Sequence, residues 1–78
     1  MSVTAYVLIQ TEVGRAEKVA TSARLLTGVI DADNVAGPYD VIVKAEADSL
    51  DELGRLVVSE IQKVAGITRT FTCPIVNL

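Results

Sequence analysis

Gly28-Val29-Ile30-Asp31-Ala32-Asp33-Asn34-Val35-Ala36-Gly37-Pro38-Tyr39-Asp40-Val41-Ile42-Val43-Lys44-Ala45-Glu46-Ala47 is the stretch that decides the fold. It holds two extended segments back to back, with no helical pattern between them. Residues 29–36 read as a short, polar strand carrying Asp31, Asp33 and Asn34. Residues 40–47 read as a second, more apolar one. Val41, Val43, Ala45 and Ala47 fall on one face of it, and Ile42, Lys44 and Glu46 on the other. Gly37-Pro38 breaks the pattern between them: glycine tolerates positive φ, and proline fixes its own φ and lacks a donor.

On the N-terminal side, residues 15–26 have helical spacing, with Ala16, Val19, Ala20, Ala23 and Leu26 on one stripe. Gly28 sits where a helix C-terminal glycine is expected. Before it, residues 3–10 read as a strand that is apolar on both faces. Val3, Ala5, Val7 and Ile9 share one face, and Tyr6 and Leu8 the other. On the C-terminal side, Ser49-Leu50-Asp51-Glu52 is a capping box. Leu50, Leu53, Val57, Ile61 and Val64 follow as the apolar stripe of a second helix, which Ala65-Gly66 ends. Residues 67–73 then alternate, with Ile67, Arg69, Phe71 and Cys73 on one face and Thr68, Thr70 and Thr72 on the other. Pro74 is expected to stop the ladder or confine it to an edge.

The order is β-α-β-β-α-β, a duplicated unit. It predicts an α+β, ferredoxin-like fold, with an antiparallel sheet in the order 4-1-3-2 and both helices on one face. Strands one and three are the more apolar pair, which suits the centre; strands two and four suit the edges. The helices leave one sheet face open, and Tyr6, Leu8 and Ile42 are expected on it. A domain this small gains only roughly 3–5 kcal/mol from its own core. Covering that second face with another copy is the expected remedy, as a dimer or a larger ring.

The composition narrows the function. Seventy-eight residues allow one domain, spanning residues 1–78. Half are apolar, 18 of them Val or Ile, and only Tyr6, Tyr39 and Phe71 are aromatic, so the chain is no disordered segment. No apolar run reaches the roughly 18–20 residues of a membrane span, and Met-Ser-Val-Thr lacks the basic start of a signal peptide. The lone Cys73 excludes an internal disulfide and implies a reducing, cytoplasmic setting. There is no histidine, hence no usual general base and no common transition-metal ligand. The net charge of −3 and seven dispersed basic residues argue against direct binding of nucleic acid. Neither a P-loop nor a G-x-G-x-x-G is present, so no cofactor, no metal and no enzymatic reaction is expected.

Two stretches could still carry chemistry. The turn Gly37-Pro38-Tyr39-Asp40 can point backbone N–H groups at a carboxylate, and Asp40 can take an ammonium. A plain hairpin in which Asp40 caps its own turn explains the same residues. Thr70 and Thr72 place two hydroxyls roughly 6–7 Å apart on one face of strand four. The sheet order puts Thr70 about 10 Å from the turn, across strand one. Their plain reading is that threonine suits a half-exposed strand. Cys73 reads as a small buried hydrophobe, Asp31 and Asp33 as a solvated edge, and Gly54 as a point of close packing by a helix or a partner.

Order and punctuation together resemble the effector-binding (RAM) domain of the Lrp/AsnC, or feast/famine, transcription regulators. Residues 28–43 look like that family's segment from a glycine to G-x-Y-D and an apolar strand. Residues 50–64 look like its second helix. Residues 64–78 look like its ending with T-x-T, although Cys73-Pro74 interrupts that ending. The resemblance implies dimers whose sheets associate, rings such as octamers, and a free amino acid bound between dimers. The implied ligand residues are Gly37, Tyr39, Asp40, Thr70 and Thr72. The full regulators carry a helix-turn-helix domain ahead of this one, whereas Met1 stands just before the first strand. The resemblance therefore implies a stand-alone effector module that acts with itself or with a full-length regulator. Two alternatives compete: a dimeric α+β barrel enzyme of isomerase or monooxygenase type, and a ligand-free assembly partner.

Overall fold

A computed structural model describes residues 2–76. The elements are β1 (Val3–Thr11), α1 (Ala16–Arg24), β2 (Val29–Asn34), β3 (Val41–Ala47), α2 (Leu50–Ser59), a 3-10 turn (Ile61–Lys63) and β4 (Ile67–Pro74). The sheet order is β2-β3-β1-β4 and every pair is antiparallel, which is the ferredoxin-like arrangement. Among the described residues, no helix is long and apolar enough to cross a membrane.

Register follows from which strand faces are greasy. Ala5, Val7 and Ile9 of β1 stand opposite Ala45, Val43 and Val41 of β3, and all six are fully buried. A slip of one residue would send this whole set to the other face of the sheet, so burial fixes the pairing. Val19, Ala20 and Ala23 of α1 close over one part of this layer. Leu53 and Val57 of α2, with Ile61 of the 3-10 turn, close over the rest. Among the described residues, the core has no buried polar or charged member.

The helices and the two middle strands are a little shorter than their sequence patterns, while β1 and β4 each run one residue longer. The first helix covers Ala16–Arg24 rather than 15–26, although Leu26 still packs against the core. The second strand ends at Asn34, where the chain leaves for the turn. Ser49 caps α2 as its sequence implies, its hydroxyl accepting from the Glu52 N–H at 3.1 Å. The apolar stripe behind it is broken at both ends. Leu50 lies 60% exposed on the first turn, outside the core. At Glu60 (φ −120°, ψ −57°) the α-helix gives way to the 3-10 turn that brings Ile61 inward.

One further expectation needs correction and two need refinement. Cys73 is exposed rather than buried: it pairs with Tyr6, and both project from the open face. Pro74 lies on an edge strand, as one of its two expected readings has it, but does not stop the ladder, because the Ile75 N–H donates to the Thr4 carbonyl at 2.9 Å. Antiparallel strands alternate inward and outward peptide groups, so the donor that proline lacks falls on the outer side of an edge strand. Gly54 meets no helix of its own chain: a Cβ built there has nothing within 4 Å. Gly54→Ala is therefore expected to stabilise the chain by about 0.5–1 kcal/mol, read as a higher urea midpoint. A lower midpoint would mean that Gly54 packs against something outside this chain.

Gly28 is a different case. Its φ of +95° suits glycine, and a Cβ there would lie 3.1 Å from the Glu46 carbonyl oxygen and 3.0 Å from a Leu56 methyl. The loop after α1 thus docks against the end of β3 and the flank of α2, with the Glu46 N–H donating to the Gly28 carbonyl at 2.8 Å.

Candidate functional site

The turn between β2 and β3 is tied to β1 at three points. The amide of Gln10 donates from Nε2 to the Pro38 carbonyl at 3.0 Å. The Asp40 N–H donates to the Ile9 carbonyl at 2.9 Å. The Thr11 N–H donates to Oδ2 of Asp40 at 2.8 Å. The third bond has a simple cause. The β1–β3 ladder runs out at the Ile9–Val41 pair, where β3 leaves for the turn. The next inward N–H of β1 would lack a carbonyl, and the aspartate side chain supplies the acceptor.

Asp40 therefore caps the neighbouring strand rather than its own turn, although its backbone carbonyl does close the hairpin by accepting from the Val35 N–H at 2.9 Å. Gly37 sits at φ +132°, with nothing within 4 Å of the place a Cβ would take. Backbone conformation, not crowding, requires glycine there.

Tyr39 swings to the open face and meets Phe71 of β4 edge-on, with ring centroids 5.8 Å apart. The Arg69 guanidinium lies 5.3 Å from the centroid of the same Phe71 ring. Leu8 lies between β3 and β4, opposite Ile42 on one side and Phe71 on the other. Tyr6 and Phe71, each 41% exposed, complete an apolar surface with the half-buried Leu8 and Ile42.

Thr70 and Thr72 stand opposite Ile9 and Val7, so their side chains lie on the helix side of the sheet. Gln62 of the 3-10 turn donates from Nε2 to the Thr70 hydroxyl at 3.0 Å. Gln62, Ile67, Thr68, Arg69 and Thr70 line an open groove of about 340 Å³ along β4. One row of the sheet runs Asn34–Val41–Ile9–Thr70. It brings Thr70 to the same end of the sheet as the Gly37–Asp40 turn, two strand spacings away, or about 10 Å. Within one chain, however, β1 stands between them, and Tyr39 touches Phe71 rather than either threonine. Sequence reasoning passed over Gln10 and Gln62. Each looks like an ordinary solvated glutamine until the fold shows its partner.

The remaining carboxylates stay local. Asp31 accepts the Ala32 N–H at 3.0 Å, and among the described residues no three His, Cys, Asp or Glu side chains gather as a metal site would require.

A small βαββαβ domain of ferredoxin-like form is the class that this geometry defines. The family model for the Lrp/AsnC ligand binding domain matches residues 4–77, and the chain belongs to that family. An uncharacterized HTH-type transcriptional regulator of Pyrococcus furiosus, PF0250, is 31% identical over 75 residues, which are 92% of this chain and 50% of that protein. The chain thus spans about half the length of the curated relatives it matches. The crystal structure of the hypothetical protein PHS023 from Pyrococcus horikoshii is 33% identical with a TM-score of 0.88, covering 97% of this chain and 92% of that one. The transcriptional regulator NMB0573 of Neisseria meningitidis, solved as an L-Met complex, shares the fold at a TM-score of 0.84 and 14% identity, over 96% of this chain and 50% of that one.

Proposed function

We propose that the chain is an effector-sensing and assembly module, which binds a small free amino acid where copies meet and acts in transcriptional regulation. Copies associate first through the open sheet face, where Tyr6, Leu8, Ile42 and Phe71 leave apolar surface uncovered. The ligand is held by the Gly37–Asp40 turn of one copy and by Thr70 and Thr72 of another. The observation that carries this reading is the division of the site. The turn and Thr70 share one end of the sheet, with Thr72 two residues further in, yet β1 separates turn and threonines within a chain. A zwitterion needs both halves, so it needs two copies.

The turn suits the task because it is held before any ligand arrives. Its three bonds to β1 leave little ordering cost on binding. One Asp40 oxygen is engaged by Thr11, and the other is the ammonium acceptor. An L-Met complex of a protein with this fold, and the HTH-type regulators among the relatives, support an amino acid as ligand and transcription as the setting. Coupling to transcription then runs through assembly, with further copies or with full-length regulators. The barrel-enzyme alternative would place polar residues between sheet and helices. That space is filled here by aliphatic side chains.

Calorimetric titration of the assembled protein with each of the twenty amino acids tests the reading. At least one small aliphatic or thioether amino acid is expected to bind, and Asp40→Asn to weaken that binding about tenfold or more while leaving an acceptor for Thr11. Silence across all twenty with an intact oligomer would reject the ligand, and unchanged affinity in the variant would reject the role of Asp40.

A further inference from the structure

The three threonine hydroxyls of β4 are engaged in three different ways. That of Thr68 donates to the Gln10 carbonyl at 3.1 Å, so its proton is spent. That of Thr70 accepts, from Nε2 of Gln62 at 3.0 Å. Among the described residues, the Thr70 proton has no acceptor within the chain, and the Thr72 side chain makes no hydrogen bond. A hydroxyl carries one proton and two lone pairs. With an amide N–H already on the Thr70 oxygen, the Thr70 proton turns away from Gln62 and toward the groove along β4.

Gln62 is held where it can impose this. It follows the fully buried Ile61, and the Val64 N–H closes the 3-10 turn on the Ile61 carbonyl at 3.1 Å. The backbone is therefore anchored while the Gln62 side chain stays exposed. The groove that it lines with Ile67, Thr68, Arg69 and Thr70 holds one basic residue and no acidic one.

Taking the chain as the amino-acid sensor proposed above, we infer that Gln62 is a positioning residue that fixes Thr70 as a hydrogen-bond donor, so that the site reads a free carboxylate at β4 and rejects the carboxamide or peptide bond that could replace it. A carboxylate only accepts hydrogen bonds, and its charge makes the bond from a hydroxyl stronger than one to a neutral carbonyl. An ammonium only donates. Placed at Thr70, it would press a second donor on the oxygen that Gln62 already serves and leave the hydroxyl proton without an acceptor. The carboxylate thus belongs at Thr70 of one copy, and the ammonium at the Asp40 oxygen that Thr11 leaves free in the other. An amino-acid amide, or the first residue of a peptide, has the ammonium but not the charge at the opposite end.

Calorimetry on the assembled full chain tests this with L-methionine and L-methioninamide, or the same pair for whichever of the twenty amino acids binds tightest. At about pH 6 both compounds carry an ammonium. The wild-type protein is expected to prefer the acid by about tenfold or more. Gln62→Met keeps the length and removes the amide, so it weakens the acid by about three- to tenfold and the carboxamide by less. Gln62→Glu offers only acceptors and draws the Thr70 proton to itself. It costs the acid about tenfold or more, while the carboxamide, whose NH2 can donate to Thr70, stays within about threefold of wild type. In a Thr70→Val background, Gln62→Met has no further effect on either compound, and in Thr70→Ser its effect returns; a merely structural glutamine would show neither. An unchanged preference in Gln62→Met overturns the inference while the amino-acid reading stands. So does a loss that persists in Thr70→Val, or a wild-type protein that binds acid and carboxamide alike. Silence across all twenty amino acids overturns the sensor reading and this inference together.

Discussion

Ile9→Ala is expected to leave the chain largely unfolded. Ile9 is fully buried on a central strand, between Val41 of β3 and Thr70 of β4. Truncating an interior isoleucine removes its transfer energy and leaves a cavity, at a cost of about 2–5 kcal/mol. The core of a domain this small supplies only roughly 3–5 kcal/mol net. The variant therefore stands near or past its threshold. Ile9→Val, which keeps the branched shape, should cost only about 0.5–1.5 kcal/mol. Urea titrations followed by far-ultraviolet circular dichroism separate the two. A midpoint for the alanine variant close to that of valine would show that the cavity collapses and that the aliphatic layer is softer than its packing implies.

Leu8→Asp acts on the opposite side of the same strand. Leu8 is flanked by Ile42 and Phe71 on the open face. An aspartate there still finds water in a lone chain, so the fold survives. In a face-to-face pair it would be buried among apolar groups without a partner. A symmetric contact loses the leucine twice, at about 1.5–3 kcal/mol each. Association should weaken by about 10²–10⁴-fold, measured by sedimentation equilibrium. An unchanged association constant would mean that copies meet elsewhere and that the open face stays wet.

Much of this architecture could be read from the chain because burial and alternation are local. The pattern Val3, Ala5, Val7, Ile9 names the inner face of β1 without reference to any other strand, and Val41, Val43, Ala45 does so for β3. Ser49 announced its own cap, since donor and acceptor lie three residues apart. Where the reading failed, the determining contact was distant or depended on register. Alternation separated Thr70 and Thr72 from Phe71 and Cys73, but only pairing with β1 decides which set faces the helices. The usual burial of small sulfur residues puts Cys73 inside; its opposite number, Tyr6, puts it outside. Leu50 matched the helical stripe by spacing, yet the helix begins there, before it passes over the sheet. The candidate site shows the same limit. Gly37, Tyr39 and Asp40 were visible as a turn, whereas the bond from Thr11 to Asp40 spans 29 positions in sequence and leaves no local mark.

The placement of the aromatic rings has a practical consequence. Tyr6, Tyr39 and Phe71 are the chain's only aromatics, there is no tryptophan, and none of the three enters the aliphatic core. Intrinsic tyrosine emission and near-ultraviolet dichroism are therefore blind to the interior and sensitive to whatever lies against the outer surface of the sheet. A change in those signals on dilution would report separation of copies while the backbone is still intact, so the protein carries its own label for assembly and needs no dye.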